Sequence, residues 1–218
     1  MNLGFFNIRN EEVRERRSVL DETRTALRHV LDDAHLKTLF GLLLTASLTI
    51  NPAVMVTLQA HVKDELGQDA GQAAIPFALM GLGIAITSFV ILRKGDMKNK
   101  GAVFQRAMMC GSAITFFTGR TTAFWQVLVL AFLMGLAGGF FINMNQGLVQ
   151  ANTPQALMGR VMGLYTLVSV GLMPFGALTI GIVASWIGTG NAISLAAAVS
   201  FVVVVTTYVR NADLRRLG

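Results

Sequence analysis

Charge is what this sequence has least of. Only 14% of its 218 residues are acidic or basic, against roughly 25% in soluble domains. The shortage is also local. From Val161 to Val209 there is no Asp, Glu, Lys, Arg or His. A bilayer span needs about 20 mostly apolar residues, so that stretch alone has room for two. An ordinary soluble domain is excluded. Cysteine is nearly absent as well: Cys110 stands alone, so an intrachain disulfide and a cysteine metal cluster are excluded. The first 36 residues lack an apolar run, so no cleavable signal peptide is expected.

Catalytic constellations are missing too. The sequence contains no G-x-S-x-G elbow and no H-E-x-x-H zinc site. All three His residues, at 29, 35 and 61, fall outside the apolar segments drawn below. Those segments hold no Asp or Glu, so an intramembrane protease would lack its base. The glycines of "GLGIA" follow no strand and read as helix-packing glycines. The expectation is a protein that is not an enzyme, with no metal site and no cofactor.

Hydrophobic residues make up 53% of the chain. They gather in six segments, at 38–60, 73–92, 102–118, 124–150, 161–185 and 191–209. The predicted fold is therefore all-α: a polytopic membrane bundle of six helices. Six spans place both termini on one side. The basic residues agree. Of 18 Lys and Arg, all but Lys63 and Arg120 fall on the side of the termini. The positive-inside rule makes that side cytoplasmic. The same distribution, at span ends, argues against nucleic acid as the partner of a chain with net charge +6.

Residues 18–34 have a different pattern. Leu20, Leu27, Leu31 and Ala34 recur at helical spacing between charged residues, and Ser18 with Asp21 resembles a capping box. An amphipathic cytoplasmic helix is expected there, after a mobile stretch at 1–17. The domain plan is then a cytoplasmic segment at 1–36, a transmembrane domain at 37–210 and a tail at 211–218.

Candidate site residues are polar or helix-breaking. Asn143, Gln146 and Gln150 fall within about 60° of one another on a helix, with Gly139 on the same stripe. That stripe suits a polar cavity. Asn51 is a further candidate for its lining. Ala131, Gly138, Asn145 and Asn152 recur every seven residues on another face, which suits close helix packing. Pro52 and Pro174 lie within the first and fifth segments, where each removes a backbone donor and kinks a helix. Arg160 follows Gly159 between the fourth and fifth segments, just past Pro154.

The stretch "TPQALMGRVMGLYTLVSVGLMPFGAL" resembles the tenth-to-eleventh helix region of major facilitator superfamily transporters. It is most similar to the bacterial efflux branch that includes enterobactin exporters and macrolide efflux proteins. "RKGDMKNKG" resembles that branch's loop between helices eight and nine, and "SVLDETRTALRHVLDDAHLKTLF" its central linker. The resemblance covers about residues 18–210. It implies a 3+3 inverted repeat and a small molecule, such as a drug or siderophore, bound between two halves. It also implies a bacterial inner-membrane location. Gly159 and Arg160 would form part of a cytoplasmic loop motif. A whole family member has twelve spans, so the chain is expected to be a C-terminal half. Its partners would be the bilayer and either the missing N-terminal half or a second copy. A non-transporting assembly or regulatory subunit, or a homodimeric half-transporter, is the alternative.

Overall fold

The computed structural model describes residues 23–95, 97 and 99–215. The expected capping box at Ser18, together with Leu20 and the first 17 residues, lies outside them. Helix α1 covers 23–32. It is followed by α2 (Ala34–Glu65), α3 (Gln72–Lys94), α4 (Lys100–Thr118), α5 (Phe124–Ala151), α6 (Gln155–Ile187), α7 (Thr189–Arg210) and the short α8 (Ala212–Arg215). No strand occurs among the described residues.

Local chemistry marks the boundaries. Asp33 caps α2, accepting from the backbone N–H groups of His35 and Leu36 at 2.8 Å each. Gln126 caps α5 from its first turn, its Oε1 accepting from the N–H of Thr122 at 3.0 Å. One residue, Gly188, separates α6 from α7. Its φ of +85° belongs to the region that glycine enters without a Cβ clash.

Five of these helices are long and apolar enough to cross a membrane. Helix α4 is the sixth long helix. It is too polar to qualify by composition, and packing explains why it tolerates that. Phe104, Gln105, Ser112, Thr115 and Thr118 are all buried. Phe104 stacks on Phe141 of α5, and the Ser112 hydroxyl donates to Ser200 of α7 at 3.1 Å. A helix enclosed on these sides can carry hydroxyls that lipid would penalise. Membership of α4 among the expected six spans thus rests on packing.

Glycines bring the helices together. A Cβ on Gly83 of α3 would lie 2.6 Å from the Phe132 carbonyl oxygen of α5. One on Gly135 of α5 would lie 2.2 Å from the Met80 carbonyl oxygen of α3. This is the packing role expected for the "GLGIA" glycines, carried by Gly83; Gly81 meets nothing within 4 Å.

The contact register defines directions. Met80 meets Gly135 and Thr87 meets Gly139, so α3 and α5 run parallel. Ser47 reaches Ser169 and Leu48 meets Gly176, so α2 and α6 also run parallel. Ser112 meets Ser200 and Gly119 meets Gly190, so α4 and α7 are antiparallel. Exchanging the first three long helices with the last three maps α2–α6 onto α5–α3, and α4–α7 onto itself. Because α2 and α5 run in opposite directions, this is the pairing of an inverted repeat.

The core is divided along the bundle. One cluster joins Leu36, Leu39, Phe104, Leu148, Val161 and Val204 near the helix ends that carry most of the Lys and Arg. Another, built on Val54, Leu58, Val62 and Val127, lies toward the opposite end. Ala26 and Val30 dock α1 onto the first cluster. Leu27 and Leu31, the expected apolar face, are instead 46% and 52% exposed. The narrow contact admits the smaller side chains of the neighbouring face.

Candidate functional site

Both proline-containing helices depart from regular α geometry. In α2, Pro52 is followed by a π-helical turn at Ala53–Thr57. In α6, a π-helical turn at Leu167–Gly171 precedes Pro174. Each wide turn contains one extra residue and loosens the regular hydrogen-bond ladder, and such turns concentrate at functional positions. The α6 wide turn packs on the part of α2 that precedes Pro52. Ser47, fully buried, donates to the Ser169 carbonyl within the α6 wide turn at 3.4 Å.

A cavity of about 340 Å³ opens beside these turns. Helices α2 to α6 all contribute to it. Its apolar lining includes Ile50, Val54, Met55, Met80, Met134 and Phe141. Among the described residues, no acidic or basic side chain is part of the lining. Its polar groups are Asn51, Ser112, Thr115, Gln146, Tyr165 and Ser169. Three of these have protein partners for their hydroxyls. Ser112 donates to Ser200, Thr115 to the Gly111 carbonyl at 2.8 Å, and Ser169 to the Thr166 carbonyl at 3.2 Å. The side-chain amides of Asn51 and Gln146 make no hydrogen bond with any described residue. Each amide can therefore offer both a donor and an acceptor to a guest.

The expected polar stripe on α5 divides. Gln146 lines the cavity, whereas Asn143 does not. Asn143 donates to Ser88 Oγ of α3 at 3.0 Å and to the Gly139 carbonyl at 2.8 Å. Gly139 sets this orientation: a Cβ there would lie 2.7 Å from Thr87 Cβ. Where α5 presses α3 at Gly139, the residue one turn later must also face α3. Gln150 is exposed and lies outside the cavity. The heptad expected for packing divides as well, with Gly138 lining the cavity and Asn145 fully buried.

Gly159 and Arg160 lie in the helical segment Met158–Thr166 rather than in a loop. Pro154 precedes a single 3-10 turn, Gln155–Leu157, that feeds directly into it. Pro174 is exposed, while Pro52 is buried against Gly176.

A second polar cluster was not anticipated. The first apolar segment ends at Ala60, but α2 continues to Glu65 through another π-helical turn, His61–Glu65. The candidate span consequently includes His61, Asp64 and Glu65 at its far end. His61 is 1% exposed. Its Nδ1 lies 2.8 Å from Glu65 Oε2, and its Nε2 lies 3.1 Å from Thr121 Oγ1. Glu65 Oε1 accepts from the Thr189 hydroxyl and, at 3.1 Å, from the Gly190 N–H. The cluster joins α2, the α4–α5 connection and the start of α7. The i,i+4 spacing of His61 and Glu65 is the sequence signal for it.

A family model described as Major Facilitator Superfamily matches residues 15–216. Among curated proteins, the chain is 26% identical over 136 residues to a multidrug resistance protein, MdtG, of Salmonella choleraesuis (strain SC-B67). The same identity and length hold for the protein of that name from Salmonella typhi. The match covers 62% of this chain and 33% of each relative, so the chain spans about a third of their length.

Proposed function

The chain belongs to the Major Facilitator Superfamily, and we propose that it forms one half of a membrane carrier exporting uncharged or weakly polar small molecules, with drugs as the first class to test. The observation that carries this reading is the cavity beside the wide turns of α2 and α6. It is large enough for part of a drug-sized guest. Its apolar surface is interrupted by two amides with no partner among the described residues. The multidrug resistance proteins it resembles support the choice of drugs as probes.

The opposing wall comes from a second six-helix unit. Rocking of one unit against the other exposes the cavity to alternate sides. Contacts such as Ser47 with the Ser169 carbonyl hold α2 and α6 together during that motion. The wide turns let both helices bend without losing every backbone hydrogen bond. The helix ends rich in Lys and Arg face the cytoplasm of a bacterial inner membrane.

Two measurements test this reading. A Gln68→Cys variant should react with an impermeant maleimide from outside intact cells. Co-expression with a matching six-helix half should lower accumulation of a lipophilic fluorescent drug, and Asn51→Leu with Gln146→Leu should alter that drug preference. Export unaffected by these two substitutions would remove the cavity from the transport route. No export with any half would favour a non-transporting subunit.

A further inference from the structure

One titratable cluster takes no part in the cavity. Among the described residues, His61 is the one buried histidine, and its partner Glu65 ends α2. The carboxylate bridges two helices. Its Oε2 meets the His61 ring, while its Oε1 accepts from the Thr189 hydroxyl and the Gly190 N–H of α7. A Cβ on Gly190 would lie 3.1 Å from Glu65 Oε2 and 3.2 Å from His61 Cε1. The start of α7 is therefore seated on the pair itself.

The partners constrain where the hydrogens sit. Thr121 donates its single hydroxyl hydrogen to the Thr118 carbonyl at 2.8 Å. Its oxygen can then only accept from His61 Nε2, at 3.1 Å. On the other side of the ring, Nδ1 lies 2.8 Å from Glu65 Oε2, within ion-pair distance but outside the alignment of a hydrogen bond. A neutral ring cannot keep both contacts as they stand. With its hydrogen on Nε2, the Nδ1 lone pair would face a carboxylate oxygen. With its hydrogen on Nδ1, Thr121 would have to turn away from the Thr118 carbonyl. An imidazolium carries a hydrogen on each nitrogen. It meets Thr121 as a donor and Glu65 as an opposite charge.

We propose that His61 and Glu65 form a proton-binding site that latches α2 to the start of α7. A proton from water reaches Nδ1 past the Glu65 side chain, which is 42% exposed. The ring gains one positive charge, and the new N–H lies beside the carboxylate. Loss of that proton leaves a carboxylate that water solvates better than a neutral ring does. Glu65 then turns outward and releases Thr189 and Gly190. The other charges near the ring are Lys63 and Asp64 on α2, Asp69 in the connection after it and Arg120 beside Thr121, all exposed. Among the described residues none of them pairs with His61 or Glu65. None is of a type that ordinarily changes charge between about pH 5 and pH 8. Helix α7 has no charged residue before Arg210, and α6 has none after Arg160. His29 and His35 lie at the opposite end, in α1 and at the start of α2. The latch belongs to this chain and stands whether or not drugs are carried.

The test uses the full chain in phosphatidylcholine nanodiscs, with two readouts. The first is amide protection across 188–194, corrected for the intrinsic effect of pH on exchange. It should fall about fivefold between pH 5.5 and pH 8, the difference between a charge-assisted contact and a neutral one. The second is nitrogen NMR of the labelled imidazoles, with His29→Gln and His35→Gln assigning the other two rings. His61 should carry hydrogens on both nitrogens at pH 5.5 and on one at pH 8. His61→Gln should make the protection independent of pH, and Glu65→Gln should leave it low at both values. Thr121→Ser, which keeps the acceptor, should retain the pH dependence, whereas Thr121→Val should diminish it. Protection that is equal at the two pH values in the unsubstituted chain would overturn the proposal. So would a singly protonated His61 ring at pH 5.5, which is read without altering the pair, or a pH dependence that survives His61→Gln.

Discussion

Gly176 of α6 lies against Pro52 of α2, where the two interrupted helices cross. A Cβ at Gly176 would fall 2.5 Å from Pro52 Cγ and 2.9 Å from the Leu48 carbonyl oxygen. Leu48 is four residues before Pro52, so its carbonyl is the one that proline's missing N–H cannot serve. A residue without a side chain lets the neighbouring helix cover that defect.

Gly176→Ala should therefore force α2 and α6 apart. Overpacking of this kind costs about 1–3 kcal/mol. The melting temperature of the purified chain should fall, and Gly176→Val should lower it further. An unchanged melting temperature for both variants would contradict the crossing geometry.

The two α5 amides should separate in experiment. Asn143→Ala removes the contacts to Ser88 and the Gly139 carbonyl and should cost about 1 kcal/mol of stability, with little effect on drug affinity. Gln146→Leu should leave the melting temperature nearly unchanged and alter drug affinity. Thermal unfolding and drug-binding titrations distinguish these outcomes, and the reverse assignment would place Asn143 in the cavity.

Glu65→Gln should weaken the far end of the bundle. Neutralising the carboxylate removes its charge from both the His61 ring and the Gly190 N–H, and charge-assisted contacts are the stronger ones. Faster amide exchange is expected across 188–194, with the clusters near α1 unaffected. Unaltered exchange there would show that close packing of Gly119 on Gly190 suffices to hold α7.

Gln105 and Asn145 are fully buried, and neither side-chain amide has a hydrogen-bond partner among the described residues. Leaving such groups unpaired costs about 1–3 kcal/mol each. Gln105→Leu, close in volume, should raise the melting temperature. A marked drop would reveal a partner for this amide, such as a bound water.

The membrane class, the all-α architecture and the approximate helix limits could be read directly from the chain. Apolar runs and scarce charge report solvent, and solvent acts on every residue of a span alike. The missing N–H of Pro52 and Pro174 is a covalent property and is legible in the chain, whereas the wide turns beside them are not. Which way each helix face turns was not. The 100° repeat places Gly139, Asn143 and Gln146 relative to one another, but it contains no information about what lies opposite. Close approach of Gly139 to Thr87 settled that orientation, committing Asn143 to α3 and bringing Gln146 to the cavity rim. His61 shows the same limit. Its polarity suggested a place beyond the helix, yet Glu65, Thr121 and Gly190 gather from three separate elements to enclose it. Partners 60 to 129 residues apart in the chain meet only when the bundle assembles, so tertiary packing decided which polar groups were buried and which were left facing the cavity.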